Sequence, residues 1–324
     1  MKNRLGESDS SILFGTPAAV IRQVQEAVVG KTDIIRQIMM AILAKGHILV
    51  EDIPGTGKTT MALAFSRAMG LKANRVQFTP DVLPADLTGF TIYQKETRQF
   101  VYQPGSVMCN LLLADEINRT SPKTQAALLE VMEEGHVTVD GTTHEVGDPF
   151  IVIATENPTG SAGTQLLPES QLDRFMICVK MGYPSMKEEI EILKRNQYER
   201  ADTLVNCVYS AEELLNAREE VSHIYVHDAI YSYIARLVRS TREQNMIALG
   251  LSPRASIALT AMAKASAYLD DREYVVPDDV LSVFPAVAAH RLQLSTKAKV
   301  GHIQIDDLIH QILEETAAPT IQRK

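Results

Sequence analysis

The sequence predicts an α/β protein whose strands and helices alternate up to about Tyr183, followed by a chain that is helical almost throughout. Three observations carry this. Short apolar runs at residues 47–50, 75–78, 111–114, 150–154 and 176–181 alternate with helical patterns, which implies a largely parallel sheet with helices on both faces. The first run leads into Pro54-Gly55-Thr56-Gly57-Lys58-Thr59-Thr60, a glycine-rich turn between a strand and a helix start. From Pro184 onward the apolar residues recur at helical spacing in segment after segment.

Residues 1–15 are polar and read as a frayed tail. Residues 17–45 hold two helices, with Val20, Val24 and Ala27 on one face of the first and Ile34, Ile38 and Ile42 along the second. The helix after the glycine-rich turn stops at Gly70. Residues 91–103 form two short strands around a polar turn. Residues 122–134 form a helix with proline in its first turn. Asp140-Gly141, between alternating residues of 136–146, marks a hairpin. Residues 167–175 include a short helix before the last strand. The helical part contains segments 186–197, 211–221, 227–243, 252–270, 277–292 and 306–317. Two domains are expected: 1–183, with 1–15 as its tail, and 184–324, a linker and helical domain.

Composition narrows the function. Of 324 residues, 45% are hydrophobic and 22% charged, the balance of a globular protein with a core. A net charge of -8 argues against binding nucleic acid mainly through its phosphates, which wants a basic surface. Cys109, Cys178 and Cys207 are far apart and odd in number, so neither a zinc site nor a disulfide framework is expected. The N-terminus lacks the apolar stretch of a secretory signal, and no run is long enough to span a membrane. The cytoplasm is the expected compartment. His136 and His144 are expected on a solvated surface of the hairpin.

The glycine-rich turn can hold phosphate. Its glycines let backbone N–H groups face an anion, and the following helix adds its dipole. Lys58 would reach the β- and γ-phosphates and Thr59 would hold Mg²⁺ through its hydroxyl. The usual pattern G-x-x-x-x-G-K-[ST] is incomplete, because Asp52 stands where the first glycine belongs. The apolar run Leu111 to Ala114 ends in Asp115 and Glu116, at the strand end where open α/β sheets bind ligands. Asp115 would hold Mg²⁺ through water, and Glu116 would polarise a water for attack on the γ-phosphorus. Asn157, after another strand, could orient that water, although Asn157-Pro158 is also a turn signal. Ser252 and Pro253 start a helix, and Arg254 in its first turn opposes the macrodipole unless an anion lies near. Arg174 or Arg254 taken singly reads better as a surface salt bridge, and only the context of the other motifs favours a functional role.

Taken together these stretches resemble one family. The segments at 28–30 (VVG), 49–59 (LVEDIPGTGKT), 75–90 (RVQFTPDVLPADLTGF), 111–134 (LLLADEINRTSPKTQAALLEVMEE), 154–158 (ATENP), 167–175 (LPESQLDRF) and 250–255 (GLSPRA) are similar to the signatures of the MoxR family of AAA+ ATPases. The resemblance covers roughly residues 16–295, and an acidic residue before the phosphate turn is usual in that family. It implies a five-stranded parallel sheet in the order 5-1-4-3-2 and an all-α lid. It implies that Pro54, Gly55, Thr56, Gly57, Lys58, Thr59 and Thr60 form Walker A, and that Asp115 and Glu116 form Walker B. Asn157 matches sensor 1, Arg174 an arginine finger acting on a neighbour's ATP, and Arg254 sensor 2. Val28, Val29 and Gly30 match the adenine contact. ATP and Mg²⁺ are the implied cofactors. A hexameric ring that remodels or matures protein clients, by metal or cofactor insertion among other routes, is the implied function. A von Willebrand factor A domain protein is the implied partner. Other readings are a nucleic-acid motor or loader, a nucleotide-gated scaffold, and a subunit of a magnesium-chelatase-like complex.

Overall fold

The structure, a computed structural model, describes residues 15–51, 55–156, 167–195 and 205–320. Helix α1 (Pro17–Ala27) starts from Thr16, whose hydroxyl accepts from the Ala19 N–H, and α2 (Thr32–Leu43) follows. Strand β1 (Ile48–Glu51) is buried up to its last residue, and α3 (Lys58–Ala68) begins beyond the phosphate turn. Strand β2 (Ala73–Gln77) precedes a one-turn helix, α4 (Pro84–Thr88). Strands β3 (Gly89–Gln94) and β4 (Gln99–Pro104) pair as the expected ribbon. Strand β5 (Leu111–Asp115) runs into a 3₁₀ turn (Ile117–Arg119) and then α5 (Pro122–Glu134), which is capped by Ser121 and stopped by Gly135 at φ 68.

Strands β6 (His136–Val139) and β7 (Thr142–Glu145) form the hairpin. Its two turn residues, Asp140 and Gly141, have φ of 49 and 78, the paired positive values of a type I′ turn. Strand β8 (Ile151–Glu156), α6 (Glu169–Leu172) and β9 (Ile177–Val179) complete this part. The sheet is wholly parallel in the order β2-β5-β8-β1-β9. Numbered along the chain, these strands read 5-1-4-3-2 from one edge, as the family resemblance implies. Glu51, Asp115 and Glu156 therefore come out at one edge, the C-terminal one.

The opposite edge is fastened by His47. Its Nε2–H donates to the Met132 carbonyl at 3.0 Å, and its Nδ1 accepts the Val152 N–H at 3.0 Å. Burial holds its pKa down at about 4, so it stays neutral and keeps both bonds.

The remaining helices are α7 (Met186–Arg195), α8 (Ala211–His223), α9 (Asp228–Glu243), α10 (Pro253–Leu269), α11 (Pro277–Ala288), α12 (Thr296–Val300) and α13 (Ile305–Glu315). A small ribbon adds to them: β10 (Ile247–Leu249) pairs with β11 (Gln293–Leu294) where the exits of α9 and of a 3₁₀ turn at Ala289–Arg291 run side by side. One apolar core joins α1, α2 and one sheet face to α8 through α11, and a second fills the other face beneath α4 and α5. His144 departs from the solvated position expected of it. It stacks on Tyr102 with ring centroids 3.7 Å apart, which ties the two ribbons together.

Candidate functional site

The phosphate turn is shaped by glycine. Gly55 and Gly57 have φ of 88 and 90, values that side-chain-bearing residues rarely take. Gly57 is the N-cap of α3 and has no side chain to satisfy that helix's first N–H groups. An anion held there would satisfy them and meet the positive end of the dipole. Lys58 opens the helix and is buried, with Thr59 and Thr60 half-buried behind it. Pro54 lies outside the described residues, as does Asn157. The residues present therefore fit a bound polyphosphate.

Asp115 ends β5 across from this turn, and Glu116 follows it as the N-cap of the 3₁₀ turn. The Asp115 carboxylate accepts from Thr155 Oγ1 at 2.6 Å and pairs with Arg75 Nη2 at 2.8 Å. Glu116 has φ 58 and ψ 49, a left-handed conformation costly for a glutamate. Its N–H donates to the same Thr155 hydroxyl at 2.9 Å. Thr155 thus fixes both acidic residues from the neighbouring strand. The Glu116 side chain is held in turn: Oε2 accepts from Gln77 Nε2 at 2.8 Å and lies 3.1 Å from Arg119 Nη1. Thr155, Gln77, Arg75 and Arg119 received no role from the sequence. Their only signal there was position, Thr155 being a hydroxyl inside an apolar strand and Gln77 the last residue of β2.

Among the described residues no three His, Cys, Asp or Glu side chains gather as a metal cage. Thr59 and Asp115 are what the protein would offer a magnesium ion that takes its other ligands from phosphate and water.

At the foot of the turn two acids meet. Glu51 and Glu156 are register partners on adjacent strands. Burial first, and the Glu51 charge second, push the Glu156 pKa up to about 7. Buried Cys178 on β9 faces the same pair, and its thiol is pushed far above the usual range by burial.

Val28 is buried at the end of α1, Val29 is half-buried and Gly30 is exposed at φ 73. Glu188 of α7 occupies the space a side chain at position 30 would need. Lys31 Nζ donates to the Tyr183 carbonyl at 3.3 Å. The 28–31 turn and the start of α7 are therefore packed together.

Arg174 and Arg254 lie elsewhere. Arg174 precedes β9, and the Met176 N–H donates to the His47 carbonyl at 2.8 Å, level with the start of β1. Both arginines reach Glu133, beside the Met132 carbonyl that His47 holds: Arg254 Nη2 at 2.6 Å and Arg174 Nη2 at 3.2 Å. The pair thus sits at the N-terminal edge of the sheet, with the length of a strand between it and the phosphate turn. Asp173 fixes this corner, accepting from Arg291 Nε at 2.7 Å and from Ser252 Oγ at 3.0 Å. Arg291, 6% exposed, also donates to the carbonyls of Phe175 and Met176. Ser252 caps α10 as expected, with Pro253 in its first turn.

Residues 47–177 match the model of the ATPase family associated with various cellular activities (AAA), and residues 239–312 match the AAA lid domain. The uncharacterized protein YeaC of Bacillus subtilis is 45% identical over 94% of each chain. Chaperone MoxR1 of Mycobacterium tuberculosis is 38% identical over 93% of this chain and 82% of its own. A solved structure from Cytophaga hutchinsonii superposes with a TM-score of 0.86 at 36% identity, covering 93% of this chain and 94% of that one. Among the described residues, no helix is long and apolar enough to cross a membrane. A phosphate turn facing an Asp-Glu strand end, joined to these likenesses over nearly the whole length, places the chain in the MoxR family of AAA+ ATPases, with ATP hydrolysis as its activity.

Proposed function

We propose that this protein is a cytoplasmic chaperone that hydrolyses Mg-ATP within a hexameric ring, each hydrolytic site being completed by the next subunit, and that it remodels or matures a partner carrying a von Willebrand factor A domain. The observation that supports shared sites is the position of Arg174 and Arg254, at the far edge of the sheet from their own phosphate turn. Parallel strands advance about 3.3 Å per residue, so the four residues of β1 alone put about 10 Å between the edges. A finger in this position serves a neighbour, and because Arg254 shares Glu133 with Arg174, both arginines are assigned to that neighbour.

In this reading the core, 1–183, binds nucleotide and the part from 184 carries the lid. Gly55, Thr56, Gly57 and the first N–H groups of α3 cradle phosphate, and Lys58 balances its charge. Thr59 and Asp115 would hold the magnesium ion, which supplies charge neutralisation at the β- and γ-oxygens. Glu116 orients and polarises the attacking water, and Asn157 helps to place it. Gln77 and Arg119 set where the Glu116 carboxylate waits. Val28, Val29 and Gly30 receive the adenine, beside the start of α7.

The test is turnover per subunit against protein concentration. It should rise as subunits assemble, and a flat profile through the monomer-to-oligomer range refutes shared sites. Arg174→Ala should bind ATP and fail to hydrolyse it. Mixing it with Lys58→Ala should restore activity, because one supplies the cradle and the other the finger. Glu116→Gln should bind ATP with turnover reduced at least about a hundredfold. Held in ATP, that variant should retain the von Willebrand factor A partner from cell extract and release it when ATP is withdrawn. Recovery of nucleic acid instead refutes the chaperone reading.

A further inference from the structure

Glu133 takes two arginines at once, one on each carboxylate oxygen: Oε1 accepts from Arg254 at 2.6 Å and Oε2 faces Arg174 at 3.2 Å. Helix physics gives no local reason for it. A carboxylate in the last turn of α5 opposes that helix's dipole, as the guanidinium in the first turn of α10 opposes its own. The two charges, each unfavourably placed on its own helix, compensate one another across 121 residues of sequence.

The stems of the two arginines are fixed independently of Glu133. Asp173, adjacent to Arg174, is held by buried Arg291 and by Ser252, which caps the helix carrying Arg254. The guanidinium ends, by contrast, reach solvent: side-chain exposure is 29% for Arg174 and 51% for Arg254, with Glu133 between them at 33%. Both arginines can therefore leave Glu133 by side-chain rotation while their backbone stays in place. Two oxygens receiving two guanidiniums is also the arrangement a phosphate group offers.

We propose that Glu133 is a positioning residue whose carboxylate stands in for phosphate in the lone subunit, holding Arg174 and Arg254 side by side until the phosphate of a neighbouring copy's nucleotide displaces it. The proposal rests on the reading that both arginines serve a neighbour. It makes Glu133 a competitor of assembly and leaves it no part in the hydrolytic step. Exposed ion pairs are weak, so removing two of them shifts the assembly equilibrium by about threefold to tenfold.

The experiment measures turnover per subunit against protein concentration at saturating ATP for the full chain, for Glu133→Gln, and for Glu134→Gln as a control that removes the same charge one residue away. Glu133→Gln should reach half its maximal turnover at about threefold to tenfold lower protein concentration, with the maximum within about twofold of wild type. Glu134→Gln should follow wild type. An unchanged or higher half-maximal concentration for Glu133→Gln overturns the proposal. So does a collapsed maximum, which would make Glu133 an orienting group of the assembled site. A thermal midpoint well below that of wild type also overturns it, because Glu133 would then be part of the scaffold. If turnover of the wild type itself is independent of concentration, the shared-site reading fails and takes this one with it. A concentration-dependent wild type matched by Glu133→Gln sinks this proposal alone.

Discussion

Glu156→Gln should change how stability depends on pH. Glu156 lies at the end of β8, in register with Glu51 at the end of β1, and its pKa rises from 4.5 to about 7 through burial and then the Glu51 charge. In the unfolded chain the same carboxyl titrates near its ordinary value. Between about pH 4.5 and 7 the folded state therefore holds a proton that the unfolded state has released. Stability from this group is complete below the unfolded pKa and is lost as pH rises through the folded one. With the carboxyl raised from 4.5 to about 7, at about 1.4 kcal/mol per pH unit, the full loss is about 3.5 kcal/mol, nearly all of it complete by pH 8. Glutamine cannot ionise, so the variant should escape this loss. The assay is urea unfolding of wild type and variant without nucleotide at pH 5, 6, 7 and 8, read as the difference between the two so that other titrations cancel. The variant should gain on wild type across that range by about 2.5 kcal/mol, the rest of the loss lying below pH 5. Glu51→Gln should reduce the effect by removing the second cause. A difference that stays constant from pH 5 to 8, or that moves in favour of wild type, refutes the acid pair as described.

Two further outcomes follow from the hydrogen bonds around the site. Thr155→Val keeps the shape of the side chain but strips a donor from Asp115 and an acceptor from the Glu116 N–H, so it should cost about 1–3 kcal/mol in chemical unfolding. The same variant should lower turnover about tenfold or more while nucleotide affinity, measured by titration calorimetry, changes little, because the strained Glu116 backbone loses its anchor. Arg291→Met leaves Asp173 without its buried partner and frees the carbonyls of Phe175 and Met176, and should destabilise the protein by about 3–5 kcal/mol in the same unfolding assay.

The sequence made local features legible where one stretch of chain determines them. The α5 limits follow from Ser121, Pro122 and Gly135, and the β6–β7 turn from Asp140-Gly141, since capping and turn chemistry act over three or four residues. The strand that ends in Asp115 and Glu116 was visible because a strand buried on both faces is an unbroken apolar run. What stayed hidden are pairings between distant segments. Thr155 binds residues 39 and 40 positions away, and Gln77 binds Glu116 across 39. The one-turn helix α4 and the ribbon of β10 and β11 are too short to leave a periodic trace, and His144 is stacked because a second ribbon happens to lie beside it.

The arrangement of Thr155 gives the strand end a mechanical meaning. One hydroxyl donates to Asp115 and accepts from the Glu116 N–H, so the residue proposed for magnesium and the residue proposed for water share an anchor on β8. Glu156, the next residue along, is the register partner of Glu51, the last residue of β1. The end of β8 therefore contacts Asp115, Glu116 and Glu51 at once. The Glu116 N–H is held by that hydroxyl while its backbone sits in a left-handed conformation that costs energy, so the hydroxyl is a group whose loss should move the carboxylate. Thr155→Ser, which keeps the hydroxyl, should retain the turnover that Thr155→Val loses. Equal loss in both variants would assign the effect to packing and remove the hydroxyl from the argument.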